Sequence, residues 1–436
     1  MKPYGRSGRE VANALRSGKL TVSVYGLGRM GLPIAAVVAD AGGIVTGVDI
    51  NEKVVKRVNC GGCHIPNEPG LAGIVARNHA AGRLNAAVGE AESDISIIMV
   101  PTEVCGRKPD LKAVRWASEK IGEVLERGDI VITECTMPPG QTESLIGVLE
   151  ECGLRCGRDF GLAHCPERVM SGTAIRDLTE AYPKIIGGND AKTIEALKGF
   201  YSVINSKGVI AMSSVRAAEC VKVFEGIYRD TNIALANELS LVCEKQGVDA
   251  LEVFRAANSQ PYCRILQAGI GVGGHCLPYY PYFVMDADTR LIRAARQVND
   301  SMPLHAVELL KGMLRTLRRK TVVVLGLSYR PGVGEIRHTP TKPLVDRLVK
   351  EGARVLVDDP VFSHEVMRND GYEPVDIEDV RHLDGLVLAT YHKEYHSLDF
   401  RKLKKRGLTA VVDGRNVLDG AMLRKLGIEY RGFGRK

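Results

Sequence analysis

The 436-residue chain has no long hydrophobic run, no long run of one charge sign, few glutamines and no low-complexity tract. Without about 20 consecutive apolar residues no membrane-spanning helix is expected. The first twenty residues, MKPYGRSGREVANALRSGKL, lack the continuous apolar stretch and small-residue cleavage site of a signal peptide, so the chain is expected in the cytoplasm. Lys plus Arg number 59 against 52 Asp plus Glu, and the net charge of +7 is spread out. That balance argues against nucleic acid and suits a phosphate-bearing small molecule. Gln141, Gln246, Gln260, Gln267 and Gln297 are the only glutamines, which leans toward a heat-adapted source. The eleven cysteines come without an export signal, so no secreted disulfide framework is expected and most thiols should be reduced.

What is present is ordinary globular composition, 45% apolar and 25% charged. The length suits about three domains at roughly 150 residues each. Thr21–Tyr25, Ile44–Asp49, Ile95–Val100 and Ile130–Cys135 read as short buried strands, with the helically spaced Leu111–Arg127 among the segments between. Such alternation implies βαβ units and a parallel sheet. From Val215 to Gln246 there is no proline, and Ala218, Val221, Phe224, Tyr228, Leu235, Leu239 and Val242 form an apolar stripe. A helix of that length is expected to pack on a second domain or subunit. Strand-like runs return at Thr321–Gly326, Arg354–Val357, Gly385–Ala389 and Thr409–Val412. The expected fold is α/β, with two Rossmann-like doubly wound domains joined by a long central helix. Its expected parts are an N-terminal extension (1–19), a dinucleotide domain (20–208), a central helical domain (209–312) and a second Rossmann-like domain (313–436).

Gly26-Leu27-Gly28-Arg29-Met30-Gly31 follows the first strand and precedes a helical run. Glycines so spaced permit a tight turn, backbone approach to a pyrophosphate and close helix–strand packing, and the helix N-terminus offers free N–H groups to the anion. Asp49 ends the second strand about 20 residues on, where a carboxylate accepts from a ribose hydroxyl and repels a 2′-phosphate. The pattern favours NAD over NADP.

Cys60-Gly61-Gly62-Cys63-His64 matches CxxCH, yet haem attachment belongs to exported proteins, and zinc needs two more ligands that the neighbouring sequence does not offer. No metal is expected, and Cys152 and Cys156 read as helix-end or loop residues. Cys276, in Gly271-Val272-Gly273-Gly274-His275-Cys276-Leu277-Pro278, sits in a glycine-rich turn from which a thiol can project. It is either a buried inert thiol or a nucleophile toward an aldehyde.

Together YGLGRMGLP, VPTE, ECTMPPGQTE, HCPERVMSGTAI, GVGGHCLP, LGLSYRPGVGEIRHTP and VVDGRNVL resemble the UDP-glucose/GDP-mannose dehydrogenase family, in order from Thr21 to Arg415. The His before the cysteine and the RDTNIALANEL stretch look most like the UDP-N-acetylmannosamine and UDP-N-acetylglucosamine branch. The resemblance implies oxidation of C6 of a UDP-sugar, best UDP-N-acetyl-D-mannosamine, from alcohol to carboxylate with two NAD. UDP-glucose, UDP-N-acetylglucosamine or a weakly catalytic binding paralogue are its alternatives. A homodimer or larger homo-oligomer is implied, with no membrane and no nucleic acid partner.

The resemblance also carries roles. Cys276 would form the thiohemiacetal and thioester, Lys222 would hold the C6 oxygen, Glu167 would activate water, and Thr136 would order water near the nicotinamide. Gly28, Arg29, Met30, Gly31, Asp49, Lys53, Pro101, Thr102, Thr136 and Arg337 would bind the cofactor. The UDP-sugar would be held by Glu167, Arg168, Lys222, Arg264, Gly273, Tyr329, Arg330 and Arg415, with guanidinium groups gripping phosphate oxygens. Without the resemblance, Lys222 would read as a solvent-facing helix lysine and the arginines as surface residues. Three positions depart from the family's usual pattern: Gly226 stands for Asn, Tyr280 for Asp, and Tyr262 for an Arg near Arg264. The first two belong to the polar shell of the thiol and bear on thioester hydrolysis and on the protonation of Cys276.

Overall fold

The computed structural model describes residues 1–435. By contact it forms two compact units, Met1–Glu225 with Tyr282–Val284, and Gly226–Pro281 with the described residues from Met285 onward.

The first unit is built on an eight-stranded sheet. Its order is Val209–Ala211, Lys184–Gly188, Gly161–His164, Ile130–Thr133, Ile95–Ile98, Thr21–Tyr25, Ile44–Val48, Leu84–Ala87. The pairs are parallel except between Gly161–His164 and Lys184–Gly188. Ile95–Ile98, Ile130–Thr133 and Gly161–His164 are buried throughout, which is why they read as continuous runs rather than alternating ones. Helix Lys112–Val124 buries Val114, Ala117 and Ile121, the i, i+3, i+7 stripe of a covering helix. The strand order reverses beside Thr21–Tyr25, and ligands of open α/β sheets bind at such a point.

The second unit has a five-stranded, wholly parallel sheet in the order Arg354–Asp358, Thr321–Leu325, Gly385–Leu388, Ala410–Asp413, Glu429–Gly432. Its order reverses beside Thr321–Leu325.

Helix Val215–Gln246 has the ends read from the sequence, 32 residues in all. Its apolar stripe divides: Ala218 is buried, whereas Phe224, Tyr228, Leu235 and Val242 stay exposed. The last three recur every seven residues and therefore share one side of the helix.

Strand ends need correction. The run expected over Ile130–Cys135 stops at Thr133, because Ile98 O accepts both Glu134 N–H (3.0 Å) and Cys135 N–H (3.1 Å) and ends the ladder. Ile44–Asp49 stops at Val48, where the Asp49 carboxylate turns back onto neighbouring backbone, and Ile95–Val100 stops at Ile98. Thr321–Gly326 and Gly385–Ala389 lose their last residue, Arg354–Val357 gains Asp358, and Thr409–Val412 becomes Ala410–Asp413. Helix Leu111–Arg127 shortens to Lys112–Val124. Lys184–Gly188 escaped notice because it starts on a lysine and ends in two glycines, yet Lys184 is buried against Glu134 at 2.9 Å.

Candidate active site

In the first unit the turn after Thr21–Tyr25 is shaped by steric exclusion. Gly26 has φ +92°, and a Cβ there would lie 2.6 Å from Met99 O. One on Gly31 would lie 1.7 Å from Gly26 O, whereas one on Gly28 would meet nothing within 4 Å. The outer glycines thus serve packing, and the middle one leaves a bare face beside the N-terminus of helix Gly31–Asp40, as a pyrophosphate requires. Asp49 Oδ2 accepts Leu27 N–H at 2.9 Å and Oδ1 accepts Asn51 N–H at 2.8 Å. A carboxylate has about four lone-pair sites, so capacity for ribose hydroxyls remains. Arg29 and Lys53 are exposed and Met30 is half-buried; exposed Pro101 and half-buried Thr102 follow the adjacent strand at the reversal point. These residues fit a dinucleotide.

The CxxCH segment is tied to this turn by His64, whose Nε2 lies 2.8 Å from Leu27 O. Cys60 is exposed and Cys63 half-buried, both as free thiols, and no group of three metal-ligating side chains occurs among the described residues.

Also in the first unit, Lys222 Nζ donates to Glu167 Oε2 at 3.1 Å, with the two side chains only 12% and 7% exposed. The other Glu167 oxygen accepts Val169 N–H. The lysine is therefore a buried ammonium with a fixed counter-charge, and not a solvated helix lysine. Buried Thr136 follows strand Ile130–Thr133. In the same segment, Glu219 accepts Thr142 N–H at 2.7 Å and Gly140 N–H at 2.5 Å. Burial pushes the Glu219 carboxyl above its usual range despite those donors. Arg168 is held by Glu225 Oε1 (2.9 Å) and Pro183 O (2.6 Å) and lies over the Tyr182 ring. Burial, then the charges of Lys222 and Lys184, lower the His164 ring to about 3, and its Nδ1 lies 2.8 Å from Thr133 Oγ1.

In the second unit the thiol loop is fastened at several points. Gly269 N–H donates to Asn237 Oδ1 at 2.8 Å, and Ile270 N–H to Gly414 O at 3.1 Å. A Cβ on Gly273 would lie 2.6 Å from the Tyr329 Cβ, so only glycine lets the loop lie this close. Half-buried Cys276 follows, and its carbonyl accepts Tyr279 N–H (2.9 Å) and Tyr280 N–H (3.1 Å). Arg415 reaches the same region: Nε donates to Ala389 O at 2.6 Å, and one terminal nitrogen lies 3.4 Å from Tyr329 O. Burial lowers the Arg415 guanidinium to about 10, the signature of a desolvated cation that an anion would stabilise. Arg330 is half-buried beside Tyr329, while Arg264 is exposed and Tyr262 is 96% exposed. Arg337 grips Glu335 with Nε (2.6 Å) and a terminal nitrogen (3.1 Å).

The departures at 226 and 280 prove to be one feature. A Cβ on Gly226 would lie 1.9 Å from Tyr280 Cδ2, and that ring is 7% exposed. The tyrosine ring occupies the volume of the missing side chain.

The structure thus gathers Lys222, Glu167 and Arg168 in one unit, and Gly273, Cys276, Tyr329, Arg337 and Arg415 in the other. Sequence reasoning missed Glu219, Glu335 and the Glu134–Lys184 pair. The available signal for Glu219 was its place one helical turn before Lys222.

A glycine turn at the reversal point of a mostly parallel sheet, a secluded lysine–carboxylate pair, and a thiol loop beside a half-buried arginine define a dinucleotide-dependent oxidoreductase acting on an anionic substrate. The UDP-glucose/GDP-mannose dehydrogenase family matches in three parts: its NAD binding domain over residues 20–205, its central domain over 216–301 and its UDP binding domain over 323–420. A UDP-N-acetyl-D-mannosamine dehydrogenase of Pyrococcus horikoshii is 36% identical over 428 residues, covering 95% of this chain and 99% of that relative. An NDP-N-acetyl-D-galactosaminuronic acid dehydrogenase of Ralstonia nicotianae is 36% identical over 417 residues, 91% of this chain and 96% of the other. Among solved structures, UDP-D-ManNAc dehydrogenase from Pyrococcus horikoshii superposes with a TM-score of 0.86 at 34% identity, covering 95% of this chain and 99% of that one. The chain belongs to the UDP-glucose/GDP-mannose dehydrogenase family and is an NAD-dependent UDP-sugar dehydrogenase. No helix among the described residues is long and apolar enough to cross a membrane.

Proposed function

We propose that this enzyme carries out the four-electron oxidation of the C6 hydroxyl of UDP-N-acetyl-D-mannosamine to the uronate, with a covalent stage on Cys276. The names of several relatives at 32–38% identity support that sugar. The observation that carries the covalent route is the fastening of the Cys276 loop against Tyr329, beside the half-buried Arg415 cation.

NAD supplies the hydride acceptor for both oxidations. Gly28, Arg29, Met30, Gly31, Asp49, Lys53, Pro101, Thr102 and Arg337 hold the cofactor. Tyr329, Arg330 and Arg415 hold the nucleotide diphosphate, with Gly273, Arg168 and Arg264 completing the sugar site. The Lys222 ammonium steadies negative charge on the C6 oxygen. The Cys276 sulfur adds to the aldehyde carbon, making it tetrahedral so that its remaining hydrogen can depart as hydride and leave a thioester. Glu167 draws the proton from a water ordered by Thr136, and that water cleaves the thioester to carboxylate and thiol. The parts act as 20–208 for NAD, 209–312 for the thiol and subunit contact, and 313–436 for UDP. The exposed Phe224, Tyr228, Leu235 and Val242 are the surface on which two copies pair in the cytoplasm.

Incubation with limiting UDP-N-acetyl-D-mannosamine should give two NADH per sugar, and Cys276→Ala should abolish uronate formation while NAD still binds. Normal uronate from that variant overturns the covalent route; two NADH from UDP-glucose or UDP-N-acetylglucosamine alone reassigns the sugar. Tyr280 packed on Gly226 favours a second reading, in which polar help for hydrolysis is lost and turnover stops after one NADH.

A further inference from the structure

We propose that His275 is a catalytic residue of this enzyme: its ring takes the Cys276 proton, and Glu335, fixed by Arg337, positions the ring for that transfer. The inference rests on the covalent role of Cys276 given above and concerns how its sulfur becomes a nucleophile.

The geometry is local. Gly274 is buried against the Tyr329 ring with φ +89°, a left-handed conformation that sets the direction of the two side chains after it. His275 and Cys276 are consecutive in this turn, and the thiol acts on the ring as a hydrogen-bond partner that raises its pKa. On the other side, Glu335 Oε2 lies 3.9 Å from His275 Nδ1. That carboxylate is 7% exposed and is gripped twice by Arg337, so it does not swing away. Thiol, imidazole and carboxylate thus form the sequence of nucleophile, base and orienting group that activates cysteine in other enzymes.

Three charged groups face the His275 ring: Cys276, Glu335 and Arg337. The hydrogen bond to Cys276 raises the ring above its ordinary range, and Glu335 adds to this, against burial and Arg337. An imidazolium beside sulfur favours the thiolate. Exposure of 44% leaves the ring open to an entering substrate. Tyr280, meanwhile, points its ring at Gly226 and brings no carboxylate to the loop.

The step balances without an outside reagent. Cys276 gives its proton to the imidazole, and the S–H electron pair remains on sulfur. That pair then forms the C–S bond to the aldehyde carbon as the carbonyl π pair moves to oxygen, and the imidazolium later returns its proton to solvent.

The test is the pH dependence of iodoacetamide alkylation at Cys276, followed peptide by peptide in the full-length protein. Wild type should be alkylated at a nearly level rate through pH 6–7. His275→Gln should slow alkylation at pH 6.5 about tenfold, one unit's worth of thiolate, and shift its rise toward the usual thiol range near about 8.5. Added imidazole should restore part of the rate in His275→Ala, and Glu335→Gln should show a smaller loss in the same direction. Thermal unfolding certifies that each variant is folded, and a purely packing role for His275 predicts no imidazole rescue. Identical profiles in wild type and His275→Gln, or a wild-type rate that rises only near the usual thiol range, overturn the proposal. Two NADH per sugar with identical profiles removes His275 alone. Loss of alkylation in His275→Gln without NADH from any UDP-sugar removes the dehydrogenation route and leaves the pair standing.

Discussion

The two sheets of this protein begin with nearly the same turn and finish it in opposite ways. In the first, Gly26 N–H donates to Val48 O at 2.7 Å and Leu27 N–H to Asp49 Oδ2 at 2.9 Å. In the second, Gly326 N–H donates to Asp358 O at 2.8 Å and Leu327 N–H to Asp359 Oδ2 at 2.7 Å. The next residue decides the outcome. Gly28 is exposed and bare, whereas Ser328 is fully buried, donates to Asp359 Oδ2 at 2.8 Å and lies 2.9 Å from His392 Nε2. The second turn therefore satisfies internally the groups that the first leaves open, so in the function proposed above the anion of this unit falls to Arg415. A shared backbone device becomes a dinucleotide cradle or a sealed support through one side chain.

That contrast breaks most sharply at Gly31. Its Cβ would meet a backbone oxygen that cannot move aside, so Gly31→Ala should weaken NAD binding by more than about a hundredfold and cost about 1–3 kcal/mol in stability. Calorimetric titration with UDP should be unchanged, and undiminished NAD affinity would refute the packing account of the first turn. Ser328→Ala should do the reverse, costing about 1–3 kcal/mol because the buried Asp359 loses a donor, with NAD affinity unaltered. Thermal unfolding reads the loss directly.

Acid should distinguish the units next. His164 is neutral in the folded first unit down to about 3 and gains a proton near 6.5 when unfolded. The unfolded state binds more protons in that window, so the His164 contribution falls as pH drops from 6.5, by at most about 1.4 kcal/mol per pH unit. In the second unit Asp359 is held below its usual range, because the hydrogen bonds from His392 and Ser328 outweigh burial, and its contribution is lost only at lower pH. Urea unfolding of His164→Gln between pH 4 and 7 should show a flatter slope than wild type. The smallest effect belongs to Gly28→Ala, which meets no neighbour: stability should stay within about 0.5 kcal/mol while NAD affinity declines.

Local spacing explains which parts were legible in sequence. The glycine turn, Asp49 and the helix Val215–Gln246 lie within short windows whose periodicity is visible in one dimension. The Lys222–Glu167 pair joins residues 55 apart, and Glu335 meets His275 across 60 positions, so only the folded sheet edges bring them together. The kinship of the two turns was hidden for another reason. Serine at 328 interrupts the glycine pattern, and its partners Asp359 and His392 come from two other strands' ends. Strand ends failed where a single carbonyl took two donors, which no residue pattern announces.

The contact between Gly226 and Tyr280 constrains how this chain could have come about or could be altered. With 1.9 Å between the ring and any added Cβ, a side chain at 226 is barred while the ring is in place. Mutational routes through this corner must be taken in order, the ring departing before the side chain arrives, so a search by single substitutions beginning at 226 meets a dead end that a paired library would pass.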